Sequence, residues 1–318
     1  MEILKVQKVG FLDKFSDLFS YNRENFVLRV LGTYIEREMW RHSSVFGGLN
    51  ALVMGERKED VITRHLERMF VKFGFRSLSC VSCEQPQLDL FSSPDPIEFS
   101  RYDGSSWVTE KVNSSGSFDS EFVQSILPDC DIVFGIPDYN EMGMYINSLD
   151  RMGKRFILLG HICSVFDKGV FNLFRSGMVH LGFTLRGGHL KVVEEYESEF
   201  SEWNRRRKLI NGDSVQLQNY RWFCNTGVKK YNLPYSNHYK ETSKEFGKFD
   251  NVDALNVPNF RNIPPDYYGE VGTTPLLLDI MRDDEFQLLY NHTDIRGGVW
   301  YKGKQTSYRV FVRRNSKE

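Results

Sequence analysis

The chain has 318 residues, of which 41% are hydrophobic and 14% aromatic, enough for one large core or two modest ones and too many for global disorder. Its 41 basic and 42 acidic side chains give a formal net charge of −1, which excludes a protein that coats nucleic acid by bulk charge but leaves room for a local basic patch. The five cysteines are odd in number and follow no framework, and there is neither a secretory leader nor a run of the ~18 apolar residues that a membrane span needs. A reducing, intracellular setting without a membrane is therefore expected.

In chain order, Phe11, Phe15, Leu18 and Phe19 fall on one face of a helix, and Phe11, Phe15 and Phe19 form a candidate docking face. Residues 34–40 are strong helix formers, and 51–54 read as a buried strand ending at Gly55. Residues 61–73 space their apolar side chains for one helix, stopped by Gly74; 75–81 alternate as a strand does. The polar stretch 84–117 reads as an excursion from the sheet, with a brief strand signal at 107–109. A helix over 119–127 then leads to the stretch around which the chain is organised.

Asp131-Ile132-Val133-Phe134 is a short buried strand, broken by the turn Gly135-Ile136-Pro137-Asp138-Tyr139. A helix over 142–152 and a strand over 155–160 complete a βαβ unit. Ligands of open α/β sheets sit at the carboxyl ends of such strands, which makes the turn a ligand-site candidate. Beyond it, a helix at 170–175 and strands at 179–182, 220–224 and 308–314 are expected, with a loop at 229–251. Cys80-x-x-Cys83 lacks a second ligand pair, and the seven histidines show no ligand spacing, so no metal centre is expected. His161 and His180 read as satisfied polar residues in or beside the sheet.

The order of these segments resembles the EcoRI-type adenine-specific DNA methyltransferase family. Ile35-Glu36-Arg37-Glu38-Met39-Trp40 is similar to the segment before that family's first strand. Gly116-Ser117-Phe118-Asp119-Ser120 resembles its Gly-Asp-Phe-Arg-Ser turn, and 154–160 its Lys-Lys-Phe-Leu-Ile-Ile-Gly strand. Trp222-Phe223-Cys224-Asn225 resembles Trp-Phe-Thr-Asn, 249–254 resembles Tyr-Asp-Asn-Tyr-Asp-Ala, and 263–269 resembles Ile-Pro-x-Asp-Tyr-x-Gly.

The resemblance implies an S-adenosylmethionine-dependent methyltransferase-like (Rossmann-type) α/β fold. In it a mostly parallel twisted sheet carries helices on both faces, followed by a C-terminal α+β DNA-recognition region. The implied division is an N-terminal segment at 1–25, the α/β domain at 26–195 and the recognition region at 196–318. Double-stranded DNA is the implied partner, with the target adenine flipped out of the duplex. In the family an Asn-Pro-Pro-Phe turn receives that base. Here Ile136 takes the Asn place, Pro137 and Asp138 the two Pro places, and Tyr139 the aromatic place.

Cofactor contacts are implied at Phe26, Gly55, Glu56, Ser117 and Phe118, and phosphate contacts at Arg205, Arg206, Arg207 and Lys208. Ile136 cannot accept a hydrogen bond from an exocyclic amine, and only Glu56 keeps an acid near the first strand. The reading is therefore a degenerate homologue that serves as a DNA-binding or non-catalytic partner of an active methyltransferase paralogue or a restriction enzyme. The alternatives are an active enzyme that uses Asp138 and Tyr139, and a protein-binding inhibitor of a restriction or modification enzyme.

Overall fold

A computed structural model describes residues 26–29, 32–83, 96–183, 188–192, 214–217, 220–227, 246–265, 267–281 and 283–315. In chain order the first elements are β1 (Phe26–Arg29), α1 (Gly32–His42), β2 (Asn50–Met54), α2 (Val61–Arg68), α3 (Phe70–Phe73) and β3 (Ser77–Val81). Then come β4 (Ile97–Tyr102), β5 (Trp107–Val112), α4 (Glu121–Ile126), β6 (Ile132–Gly135), α5 (Tyr139–Arg151), β7 (Arg155–His161) and α6 (Lys168–Arg175). The remaining strands are β8 (His180–Leu181), β9 (Gly188–Val192), β10 (Ser214–Leu217), β11 (Tyr220–Cys224), β12 (Ala254–Asn256), β13 (Glu270–Thr273), β14 (Phe286–Asn291), β15 (Val299–Tyr301), β16 (Lys304–Thr306) and β17 (Val310–Arg314).

The main sheet has eight strands in the order β5-β4-β3-β2-β6-β7-β11-β8. Only its centre is parallel: β3, β2, β6 and β7 run together, and β4, β5 and β11 pair antiparallel to their neighbours. The sheet is mixed rather than mostly parallel, because antiparallel partners flank both ends of a βαβ core. The polar excursion expected at 84–117 contains one of these additions, the β4–β5 hairpin. Its outer strand β5 exposes four consecutive side chains, so its sequence carries no hydrophobic alternation to read.

The pleat sends alternate side chains of the parallel strands to opposite faces. Leu52, Met54, Val133, Phe156 and Leu158 pack with Met142, Ile146 and Leu149 of α5 and with Val170, Phe171 and Phe174 of α6. Ala51, Val53, Ile132, Phe134, Ile157 and Leu159 pack with Ile35 and Met39 of α1 and Ile62 and Leu66 of α2. Each fully buried side chain of this size contributes about 1.5–3 kcal/mol, so the two faces together anchor the fold. Helices on both faces of one sheet are what the resemblance implies. The helix expected over 61–73 is interrupted at Met69, and Gly74, at φ +72°, ends its second piece.

The implied domain division assigns Tyr220–Cys224 to the C-terminal region, yet as β11 it lies between β7 and β8 in the main sheet. All five of its residues are buried, including Trp222 and Phe223 at 0% exposure. A strand buried at every residue is covered on both faces, and its one charged side chain, Arg221, is paired there with Asp279. The C-terminal strands form a second sheet, β12-β13-β17-β14, and Leu255, Val271, Leu288, Val310 and Val312 join the core beneath α5 and α6. Strands β1, β9 and β10 form a separate three-stranded sheet. Among the described residues, no helix is long and apolar enough to cross a membrane.

Candidate active site at the carboxyl ends of the parallel strands

From β2 the chain passes through α2 and α3 on one face to β3, whereas from β6 it passes through α5 on the opposite face to β7. β2 and β6 are neighbours whose following segments leave to opposite faces, which makes their carboxyl ends the topological switch point where open α/β sheets form a ligand crevice. The two stretches singled out from sequence, Gly55-Glu56 and residues 136–139, follow β2 and β6 directly at that point. Gly135 makes the close approach possible: a Cβ there would come within 3.0 Å of the Met54 carbonyl oxygen.

The turn distributes its four side chains unequally. Ile136 is half-buried and packs against the apolar cluster beneath α1 and α2. Pro137 is buried. Asp138 is the N-cap residue of α5, but its carboxylate makes no capping hydrogen bond; its carbonyl oxygen accepts from the Glu141 and Met142 amides at 3.0 Å. Tyr139 is half-buried on the α5 side, and its ring meets that of His161 edge-on at 5.8 Å.

Glu56 points inward. It is buried, and its carboxylate accepts from the Ile62 amide at 3.4 Å and from the Thr63 amide and hydroxyl at 2.9 and 3.1 Å. It therefore serves the first turn of α2, where unpaired amides and the helix dipole favour an acid. Asp60 stands at the N-cap but turns its carboxylate to the Arg57 amide at 2.7 Å. Burial pushes Glu56 up to about 7; nearby Asp60 adds to this, and the hydrogen bonds from Thr63 and Ile62 offset only part of it.

Beside it, the Gly55 amide donates to the Val81 carbonyl at 2.8 Å. Gly116 has φ +67°, and a Cβ there would lie 2.1 Å from the Ser82 carbonyl oxygen, so only glycine lets this loop close on the end of β3. The adjacent Ser117 shares a hydrogen bond of 2.7 Å with Ser115, and Phe118 is buried with its ring 4.4 Å from that of Tyr145.

At the far end, β7 and β11 pair His161 with Tyr220. The His161 Nδ1 accepts from the Cys163 amide at 3.2 Å, which leaves the proton on Nε2. Burial, reinforced by the Arg221 guanidinium, lowers its pKa to about 4. The Tyr220 phenol is pushed up by burial first and the Asp138 carboxylate second. Arg221 holds Asp279 bidentately at 2.8–3.0 Å and donates to the Tyr220 carbonyl at 2.8 Å, tying β11 to the 3-10 turn Pro275–Asp279. From sequence His161 reads as structural, and Tyr220, Arg221 and Asp279 carry no mark of a functional site. The one available signal is their place in or beside strands that match the family pattern.

The other expected residues are not gathered here. Phe26 lies in β1, which pairs with β9 in the three-stranded sheet rather than the main one. Phe11, Phe15, Phe19, Arg205, Arg206, Arg207 and Lys208 lie outside the described residues.

Comparison with known proteins agrees with the order of motifs. Residues 92–317 match the model of the family described as adenine-specific methyltransferase EcoRI. The chain is 27% identical over 265 residues to the type II methyltransferase M.EcoRI of Escherichia coli, covering 77% of this chain and 79% of that protein. It is 27% identical over 195 residues to M.MgeORF184P of Mycoplasma genitalium and 26% over 196 residues to M.MpnI of Mycoplasma pneumoniae. Each of these two matches covers 59% of this chain and 60% of the relative. No solved structure matches significantly. With the family model spanning most of its length, the chain belongs to the EcoRI family of adenine-specific methyltransferases.

Proposed function

We propose that this chain is a catalytically silent member of its family that binds double-stranded DNA and serves as the non-catalytic partner of an active methyltransferase. The observation that carries this reading is the commitment of both expected polar positions to the fold. Ile136, in the place of the amine-accepting Asn, is half-buried and packs against the core cluster. Glu56, the acid at the end of β2, serves the α2 N-terminus. The family's methyl donor, S-adenosylmethionine, carries ribose hydroxyls that need acceptors. Glu56, buried and already accepting from the α2 amides, does not fit that task.

Phosphate contacts are assigned to Arg205, Arg206, Arg207 and Lys208 on their charge and tandem order. The test is transfer of labelled methyl groups from S-adenosylmethionine to duplex DNA by the purified chain, alongside calorimetric titration with the cofactor. No transfer, together with salt-dependent binding of DNA, is the expected result. Transfer by the chain alone would overturn the reading.

A second reading, an active enzyme with a divergent turn, draws on Asp138 and Tyr139, which stand together at the start of α5. It requires measurable transfer that is lost on Asp138→Ala.

A further inference from the structure

Away from the strand-end crevice, α1 and β11 bring three ligand-type side chains together. Glu38 and His42 stand one turn apart on α1, which puts them on the same helix face. Cys224 closes β11 opposite them, and all three are 0% exposed. The His42 Nε2 lies 3.0 Å from the Glu38 Oε1 and 3.7 Å from the Cys224 Sγ, and the Sγ is 4.0 Å from the same Oε1. An ion bound tetrahedrally at ~2.0 Å by nitrogen and oxygen and ~2.3 Å by sulfur sets its ligands about 3.3–3.5 Å apart. The observed triangle is within about half an ångström of that on every edge.

Two of the three groups have a further hydrogen-bond partner. The His42 Nδ1 is 2.7 Å from the Thr226 Oγ1, the outer hydrogen bond that orients a ligating imidazole and leaves Nε2 for the ion. The Glu38 Oε1 accepts from the Phe183 amide at 3.0 Å. Gly182 makes room for the carboxylate: a Cβ there would lie 2.2 Å from the Glu38 Oε1 and 2.6 Å from the Trp222 Cβ.

We propose that Glu38, His42 and Cys224 form a binding site for a divalent transition ion of the zinc class. The second oxygen of the carboxylate or a water supplies the fourth donor. A carboxylate and a thiolate balance the two charges of the ion, so the site is neutral where it is buried, with the thiol proton released on binding. The ion pins α1 to β11 and so fastens the helix layer over the central strands. The site stands whether or not the chain transfers methyl groups.

The test uses the full chain produced in medium supplemented with zinc or with cobalt. About one ion per chain is expected, and the cobalt form should show thiolate-to-metal charge-transfer absorption. Cys224→Ser should abolish that absorption, and His42→Gln should reduce bound metal at least tenfold. Cys80→Ser and Cys83→Ser should leave both unchanged, which controls for the other thiols without disturbing α1. Less than about a tenth of an ion per wild-type chain, or absorption that survives Cys224→Ser, would overturn the proposal. The wild-type measurement decides the matter even where a variant fails to fold.

Discussion

His161 and Tyr220 face one another across the β7–β11 pair, with ring centroids 5.6 Å apart and planes at 83°. This edge-to-face contact closes the carboxyl end of β7 and places a buried imidazole beside Tyr139 of the turn. Burial of this imidazole gives it a titration opposite in sign to that of the buried Glu56.

The His161 pKa is lowered from its ordinary 6.5 to about 4, so below pH 6.5 the unfolded chain takes up the proton first. Its contribution to stability is complete above 6.5 and is lost as the pH falls through 4. Glu56 is raised from 4.5 to about 7, so its contribution is complete below 4.5 and is lost as the pH rises through 7. Each shift is worth about 3 kcal/mol, and the two slopes cancel across their shared window. Between about pH 4.5 and 6.5 these two contributions therefore offset one another in urea unfolding of the wild type, leaving the rise with pH that the lowered His65 and His292 supply. Glu56→Gln should make stability climb more steeply with pH in that window than in the wild type, and His161→Gln should shift the slope the opposite way. Parallel profiles for the two variants would refute the opposition.

Arg221 and Asp279 are both nearly buried, at 5% and 8% exposure, and are joined by the bidentate pair. Removing one charge strands the other, so Arg221→Met should cost about 3–5 kcal/mol in chemical unfolding. The double variant with Asp279→Leu should recover a large part of this. A double variant no more stable than Arg221→Met would show that the pair is not the source of the loss.

Gly116→Ala forces a Cβ against the Ser82 backbone at a positive φ. About 2–3 kcal/mol of destabilisation is expected in thermal or urea unfolding. Gly153→Ala, also at positive φ but with open space around its Cβ, should cost only about 1 kcal/mol. Equal losses at the two sites would remove the argument that the loop closes on β3.

Ile136→Asn restores the amine acceptor of the family but leaves Glu56 committed to α2. Methyl transfer should stay at background, and stability should drop by about 1–3 kcal/mol because a polar side chain enters an apolar contact. Transfer gained by this single change would place the whole deficit at Ile136.

The sequence by itself determined the elements whose signal is local and the order of motifs that marks the family. The helix formers of α1, the helical stretches of α5 and α6, the apolar spacing over 61–73, the buried runs of β2, β6 and β7, and the location of the turn were all legible in it. Such patterns depend on neighbours a few residues apart, which the helix and strand periods relate directly.

Tertiary structure alone decided the rest. It turned Glu56 toward α2, and it inserted Tyr220–Cys224 between β7 and β8. It also brought Cys224 within 3.7 Å of His42 across 182 residues of chain. These outcomes depend on which buried surfaces meet and which polar groups must then be satisfied. That competition is settled among residues remote in sequence, so no local pattern announces it.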